Sequence, residues 1–78
     1  MTEEPIDERV GALWTRVLGM APAGPHDDFL ELGGASMLVI RFLAAVETDF
    51  GVRIRVEDFL RDSTFGATVR AVSAPRAG

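Results

Sequence analysis

The stretch that decides the fold is residues 28–50, which read DFLELGGASMLVIRFLAAVETDF. Two adjacent glycines stand shortly before Ser36, and the chain then continues without glycine or proline up to Phe50. In this second part apolar residues recur at spacings of three and four, which is the period of an amphipathic helix. The stretch therefore predicts a helix that begins near Ser36 and ends near Phe50, with Gly51 as its stop.

This predicted helix is apolar on two sides. The expected core stripe consists of Val39, Phe42, Leu43, Val46 and Phe50. The opposite face carries Met37, Ile40 and Ala44 beside Arg41. Two arrangements are open for Met37 and Ile40: they pack under the loop at 19–35, or they remain on the surface for a partner protein. In so small a bundle we favour the surface.

A first helix is predicted over residues 5–18, because six apolar residues fall on one helical face. These residues are Ile6, Val10, Leu13, Trp14, Val17 and Leu18. Pro5 suits the first turn and Gly19 the stop. Residues 19–35 are rich in proline and glycine and predict a long loop, which Phe29, Leu30 and Leu32 should pin to the helices.

Residues 52–56 alternate apolar and charged side chains, a pattern typical of a strand. A lone strand of this length has no visible pairing partner, so we expect an extended connection. A short helix follows over 56–60, anchored by Phe59 and Leu60.

The last predicted helix begins at Ser63 or Thr64, since either residue can cap it. Apolar residues then recur at Phe65, Val69 and Val72. Residues 74–78 look like a frayed tail.

Composition excludes several functions. A chain of 78 residues has room for one core and little for a deep substrate pocket, which argues against a self-sufficient enzyme. The net charge of −4 and the lack of a basic cluster argue against nucleic acid. Cysteine is absent and His26 is the only histidine, so we expect no metal site. No apolar run is long enough to span a membrane, and we expect a cytoplasmic protein without membrane contact.

Ser36 is the residue with the most distinctive setting. It would lie at the N-terminus of a helix, where free N–H groups and the helix dipole favour a phosphate group. An ordinary N-cap would use the same residue type. A hydrolase nucleophile fits less well, because residue 38 is Leu rather than the second glycine of Gly-x-Ser-x-Gly, and His26 has no clear orienting partner.

Residues 28–37 closely resemble the phosphopantetheine attachment signature of peptidyl carrier domains in nonribosomal peptide synthetases, commonly D-x-F-F-x-L-G-G-x-S-L. The likeness extends over about residues 5–73. It implies an all-α fold, a four-helix bundle of acyl-carrier type with a long loop between helices 1 and 2 and a short third helix. One carrier domain would span residues 1–78, with 5–73 as its folded core. Ser36 would carry 4′-phosphopantetheine, and Gly33 and Gly34 would form the hinge before it.

The resemblance also implies partners. A phosphopantetheinyl transferase would move the arm from coenzyme A, and adenylation, condensation, thioesterase or tailoring enzymes would exchange aminoacyl, peptidyl or acyl cargo held as a thioester. The chain itself would be a non-catalytic monomer. Met37, Ile40, Arg41 and Ala44 would form the docking face. This mainly apolar face favours the peptidyl type, because fatty-acid carriers usually present acidic residues there.

Three positions depart from the family pattern. Ala35 stands where His or Asp is frequent, and Leu30 replaces a second Phe. Ser63 occupies the place of a proline that often opens the last helix, and a serine cap can replace that proline.

Two alternatives stay open: a carrier of acyl or aryl groups in a polyketide-like pathway, and a helical protein-interaction module without an arm. The initiating Met and the short tail favour a free-standing carrier.

Overall fold

The computed structural model describes residues 4–33 and 36–74, and of Ser36 its place in the backbone only. These residues form four helices: α1 (Ile6–Leu18), α2 (Ser36–Phe50), α3 (Val56–Arg61) and α4 (Phe65–Ser73). A single isolated bridge between Asp28 and Thr64 is the only β-type pairing in the described part. The predicted all-α fold, with its long first loop and short third helix, is confirmed. The expected tail at 74–78 lies outside the described residues beyond Ala74.

α1 has the predicted buried face and the predicted end. Val10, Leu13 and Trp14 are buried. Gly19 adopts φ +80° and its N–H donates to the Thr15 carbonyl at 2.7 Å, which closes the helix with a left-handed residue. The start differs slightly from the prediction. Pro5 is the N-cap rather than a first-turn residue, because its ψ of 150° is extended.

α2 begins and ends at the predicted residues. Four residues of its predicted core stripe are buried and Phe50 is half-buried. At the far end the N–H of Gly51 donates to the Glu47 carbonyl at 2.8 Å, and Gly51 has φ +69°. The segment 51–55 that follows is not a strand, as expected, and its Val52 and Ile54 pack partly against the core.

An aromatic cluster occupies the centre of the molecule. Trp14 is fully buried and meets three phenylalanine rings edge to face, with centroid distances of 5.3 Å to Phe29, 5.8 Å to Phe42 and 5.4 Å to Phe65. Phe59 of α3 contacts Phe29 and Phe42. Each of the five rings comes from a different segment, so the cluster joins all four helices and the first loop.

The first loop is fastened to the start of α4 by main-chain hydrogen bonds. We call this connection, between residues 25–29 and 63–66, the clasp. Its three backbone bonds run from the Phe29 N–H to the Ser63 carbonyl at 2.9 Å, from the Phe65 N–H to the Asp27 carbonyl at 2.8 Å, and from the Gly66 N–H to the Pro25 carbonyl at 2.9 Å. The sequence did not predict the clasp.

Gly66 permits this close approach. A Cβ at this position would lie 3.0 Å from the Pro25 carbonyl oxygen, which is backbone and has little freedom to move. The clasp therefore requires glycine, which has no Cβ, at residue 66.

Two predicted anchors were wrong. Leu30 is 41% exposed and Leu60 is 52% exposed. In each case the preceding phenylalanine, Phe29 or Phe59, takes the inward position, and the following leucine points elsewhere. For Leu60 the reason is helical geometry, since successive residues are about 100° apart around the axis. Leu30 is thus not the core replacement for a second Phe that its place in the pattern suggested.

Thr64, and not Ser63, caps α4. The Thr64 hydroxyl accepts a hydrogen bond from the Ala67 N–H at 3.2 Å and donates to Asp62 Oδ1 at 2.7 Å. The Thr64 N–H also donates to Asp62 Oδ1, at 3.2 Å. The two hydrogen bonds that Asp62 accepts from Thr64, with a smaller effect from the charge of Arg70, lower the pKa of the Asp62 carboxyl below its ordinary value. Of the two residues predicted as possible caps, Thr64 is therefore the one that caps the helix, whereas Ser63 is buried and its hydroxyl donates to Asp28.

We predict that Thr64→Ala lowers the free energy of unfolding by about 1 kcal/mol, because the N-cap hydroxyl of α4 is lost. Thr48→Ala is the matched control, since Thr48 is exposed within α2 and alanine favours a helix interior. Urea unfolding followed by circular dichroism measures both variants. An equal effect of the two substitutions would contradict the assignment of Thr64 as the cap.

Candidate functional site

The candidate site lies where the first loop enters α2. A turn leads into it, in which the Leu32 N–H donates to the Asp28 carbonyl at 3.0 Å and the Gly33 N–H to the Leu30 carbonyl at 3.4 Å. Gly33 has φ +98°, and no atom comes within 4 Å of the place where a Cβ would stand. Three residues later Ser36 begins α2. The site thus follows an open, tightly turned backbone.

Of the two predicted hinge residues, Gly33 has the backbone conformation that favours glycine. Gly34 lies outside the described residues, as does Ala35, so the predictions for these two positions stay predictions. The same is true of the side chain of Ser36.

The electrostatics of the helix start suit a phosphate ester. The first N–H groups of a helix have no partner within it, and the dipole adds partial positive charge there. The first turn of α2 contains no acidic residue. A phosphodiester on Ser36 would therefore meet the favourable end of the dipole without a carboxylate in the same turn, and the residues present fit a phosphopantetheine group.

Asp28 connects this turn to the start of α4. Its Oδ1 accepts hydrogen bonds from the Leu30 N–H at 2.9 Å and from the Ser63 hydroxyl at 2.7 Å. Ser63 is 4% exposed, so the second bond is largely shielded from water. The sequence alone predicted no separate role for Asp28. An aspartate two residues before its N–H donor is the mark of an Asx turn, and this signal could have identified it.

The four residues predicted to form a docking face all lie on the surface. Met37 is 67% exposed and Ile40 is 57% exposed, with Arg41 and Ala44 exposed beside them. The alternative that Met37 and Ile40 pack under the loop at 19–35 is wrong. Beside Ile40 and Ala44 a surface groove of ≈ 410 Å³ separates α2 from Ile54 and Val56.

Other candidate chemistry is sparse. His26 is exposed in the first loop. Within residues 4–33 and 36–74 no group of three or more His, Cys, Asp or Glu residues could hold a metal ion. None of the helices in this part of the chain has the length and apolar character needed to cross a membrane.

A family profile described as "phosphopantetheine attachment site" matches residues 8–72. The chain belongs to this family. The resemblance noted in the sequence is thereby confirmed, with its carrier function and with phosphopantetheine as the covalently attached group of the family.

Large synthetases contain similar segments. This carrier domain is 42% identical over 74 residues to phosphinothricin tripeptide synthetase PhsC of Streptomyces viridochromogenes. It is 34% identical over 74 residues to a linear gramicidin synthase and 31% identical over 72 residues to tyrocidine synthase 3, both of Brevibacillus parabrevis. These alignments cover 92–95% of the domain but 7% of the first relative and 1% of each of the others.

The fold has a solved counterpart. A peptidyl carrier protein, in a structure described as a complex with the phosphopantetheine transferase Sfp and coenzyme A, matches with a TM-score of 0.84 at 22% identity. The match covers 95% of the carrier domain and 96% of the solved chain. The four-helix arrangement is therefore that of a carrier protein.

We predict that Gly33→Ala destabilises the domain by about 1 kcal/mol, because an L-residue is strained at a φ of +98°. The surroundings are open, so no steric clash contributes. Gly24→Ala is the matched control: its site is equally open, and its φ lies outside the left-handed region. Chemical denaturation should show little loss for Gly24→Ala. Equal stability of wild type and Gly33→Ala would refute the left-handed backbone conformation of residue 33.

Proposed function

We propose that Ser36 is the residue to which 4′-phosphopantetheine is attached. The supporting observation is its place as the first residue of α2, after an open glycine turn and with no carboxylate in the first helical turn. The match of the phosphopantetheine family over residues 8–72 surrounds this position. Ser36 also stands at the serine of the signature that residues 28–37 resemble.

Thr64, the other hydroxyl residue at the start of a helix, is a poor alternative. Its hydroxyl is held by Asp62 and by the Ala67 N–H. A phosphate placed there would lie next to the Asp62 carboxylate, which repels it. Ser63 and Thr68 are buried, so a transferase has no access to them. Burial and charge therefore argue against these three hydroxyl groups as the attachment site.

The carried group would supply a thiol that holds aminoacyl, peptidyl or acyl cargo as a thioester. The domain would present this cargo to adenylation, condensation, thioesterase or tailoring enzymes of nonribosomal peptide synthesis. Its similarity to segments of a phosphinothricin tripeptide synthetase and a linear gramicidin synthase supports this proposal. We further propose that it acts as a cytoplasmic monomer and leaves catalysis to these partners, the transferase included. Ser36 needs no base of its own, since the transferase would activate its hydroxyl.

Met37, Ile40, Arg41 and Ala44 are the proposed docking face for those partners. The face adjoins Ser36 on the same helix, and exposed apolar side chains with one cation suit a protein contact. Arg41 makes no ion pair with any other described residue, whereas Arg16, Arg55, Arg61 and Arg70 each do. Its charge is therefore available to a partner.

The attachment is tested by incubating the purified chain with coenzyme A, Mg²⁺ and a broad-specificity phosphopantetheinyl transferase. Intact-mass spectrometry should show the addition of one phosphopantetheinyl group, and Ser36→Ala should abolish it. Ser73→Ala is the matched control, because it removes an exposed hydroxyl at the end of α4. Unmodified wild type, or a modified Ser36→Ala, would refute the assignment of Ser36.

Cargo transfer to the same phosphopantetheine-loaded protein distinguishes a peptidyl carrier from an acyl or aryl carrier. Transfer of an aminoacyl group by adenylation enzymes would support the peptidyl type. Transfer only by acyltransferases would instead identify an acyl or aryl carrier.

For the docking face we predict that Met37→Ala combined with Arg41→Glu lowers kcat/KM of aminoacyl loading by a cognate adenylation enzyme about tenfold or more. The fold should persist, because both side chains are exposed. The matched control is Met20→Ala with Arg16→Glu, which makes the same chemical changes at exposed residues outside α2. Loss of the Arg16 to Asp49 surface pair should cost less than about 1 kcal/mol. Equal loading of the two double variants would exclude this face.

A further inference from the structure

We propose that Asp28 and Ser63 are positioning residues for the loading of Ser36, an inference that rests on the proposed function. Neither residue would touch the transferred group. Both would act by holding the turn that leads into α2 in the orientation that the transferase recognises.

Asp28 joins the turn at residues 28–33 to the start of α4. One carboxylate oxygen, Oδ1, accepts two hydrogen bonds, from the Ser63 hydroxyl at 2.7 Å and from the Leu30 N–H at 2.9 Å. The first bond fixes the carboxylate to the start of α4, and the second begins the turn. The Asp28 carbonyl adds a third contact by accepting from the Leu32 N–H at 3.0 Å. The turn is thus oriented from the α4 side.

Hydrogen bonds, rather than burial, hold this turn. Leu30, Glu31 and Gly33 are exposed and Leu32 is only half-buried. Between the fully buried Phe29 and Gly33, Leu32 is therefore the one side chain that packs against the core, and it does so only in part. In such a segment the loss of one shielded hydrogen bond changes which conformations are populated.

The side-chain bond depends on a residue that departs from the family pattern. A proline, which often stands at the position of Ser63 in carrier domains of this type, has no hydroxyl to donate. Ser63 is buried and its hydroxyl has Asp28 as acceptor. The backbone bond from the Phe29 N–H to the Ser63 carbonyl does not need the hydroxyl, so Ser63→Ala removes the side-chain bond while the clasp keeps its main-chain bonds.

The expected effect on KM follows from the fraction of molecules in which the turn has its native orientation. If the transferase binds only the native orientation of the turn, the apparent affinity falls by the fraction of molecules in that orientation. The bound complex is unchanged, so KM for the carrier rises and kcat stays the same. The loss of a typical hydrogen bond lowers the equilibrium constant for the native orientation by a factor of roughly three to ten. Because this exposed turn is held by few contacts, we expect the population of the native orientation to fall by a similar factor and KM to rise accordingly.

The experiment measures phosphopantetheinyl transfer to the full chain by intact-mass spectrometry at varied carrier concentration, at a temperature where circular dichroism shows each variant folded. Ser63→Ala and Asp28→Ala should each raise KM about three- to tenfold at unchanged kcat. The double variant should be no worse than the more affected single variant, because the two residues share one bond. Asp28→Asn should remain within about twofold of wild type, since its amide oxygen still accepts both hydrogens.

Thr64→Ala is the matched control, because it weakens the start of α4 next to Ser63 without removing an Asp28 contact. It should leave KM unchanged. Amide hydrogen exchange at Leu30 and Gly33 gives a second readout, which should accelerate in Ser63→Ala and not in Thr64→Ala.

Unchanged KM and unchanged exchange in Ser63→Ala would overturn the inference, and so would an equal effect of Thr64→Ala. Both outcomes are distinct from failure of the proposed function, in which wild type itself would not be loaded.

Discussion

The edge-to-face packing of three phenylalanine rings around Trp14 is the interaction on which the rest of the structure depends. The indole of α1 contacts a ring of the first loop, one of α2 and one of α4. Such pairs contribute about 0.5–1.5 kcal/mol each beyond the burial of their area. In a small domain with no cysteine, no other described feature joins so many elements at one point. Phe29 is the contact that brings the loop before Ser36 onto this centre.

The two faces of α2 have different surroundings, because one packs into the core and the other is exposed. The inner stripe of Val39, Phe42, Leu43 and Val46 belongs to the core, and the outer residues from Met37 to Ala44 remain uncovered. Both faces belong to one helix, which starts at Ser36. Ser36, the proposed attachment residue, therefore begins the same helix that contributes to the core, and it adjoins the proposed docking face. A carrier without a deep pocket needs little more than this arrangement.

Much of this fold could be predicted because helical periodicity and glycine stops are local signals. Both ends of α2 and the end of α1 coincide with the prediction, and Gly19 and Gly51 have the expected left-handed conformation. The place of Ser36 at a helix start followed from the same signals. The wrong predictions concern two leucines that follow a buried phenylalanine, Leu30 after Phe29 and Leu60 after Phe59. The sequence likewise left open whether Ser63 or Thr64 caps α4. A pattern of residue types does not say which of two adjacent candidates turns inward. The clasp was missed for another reason, because main-chain bonds between residues 25–29 and 63–66 use groups that every residue possesses.

The composition of the aromatic cluster has a spectroscopic consequence. The chain holds one tryptophan and no tyrosine, so its near-ultraviolet emission comes from a single indole. That indole is wholly removed from solvent, and its neighbours belong to separate segments. Departure of any one segment from the centre would admit water to the same fluorophore. The domain thus contains an intrinsic optical probe of its own cooperativity, which lies in the core and away from the proposed docking face.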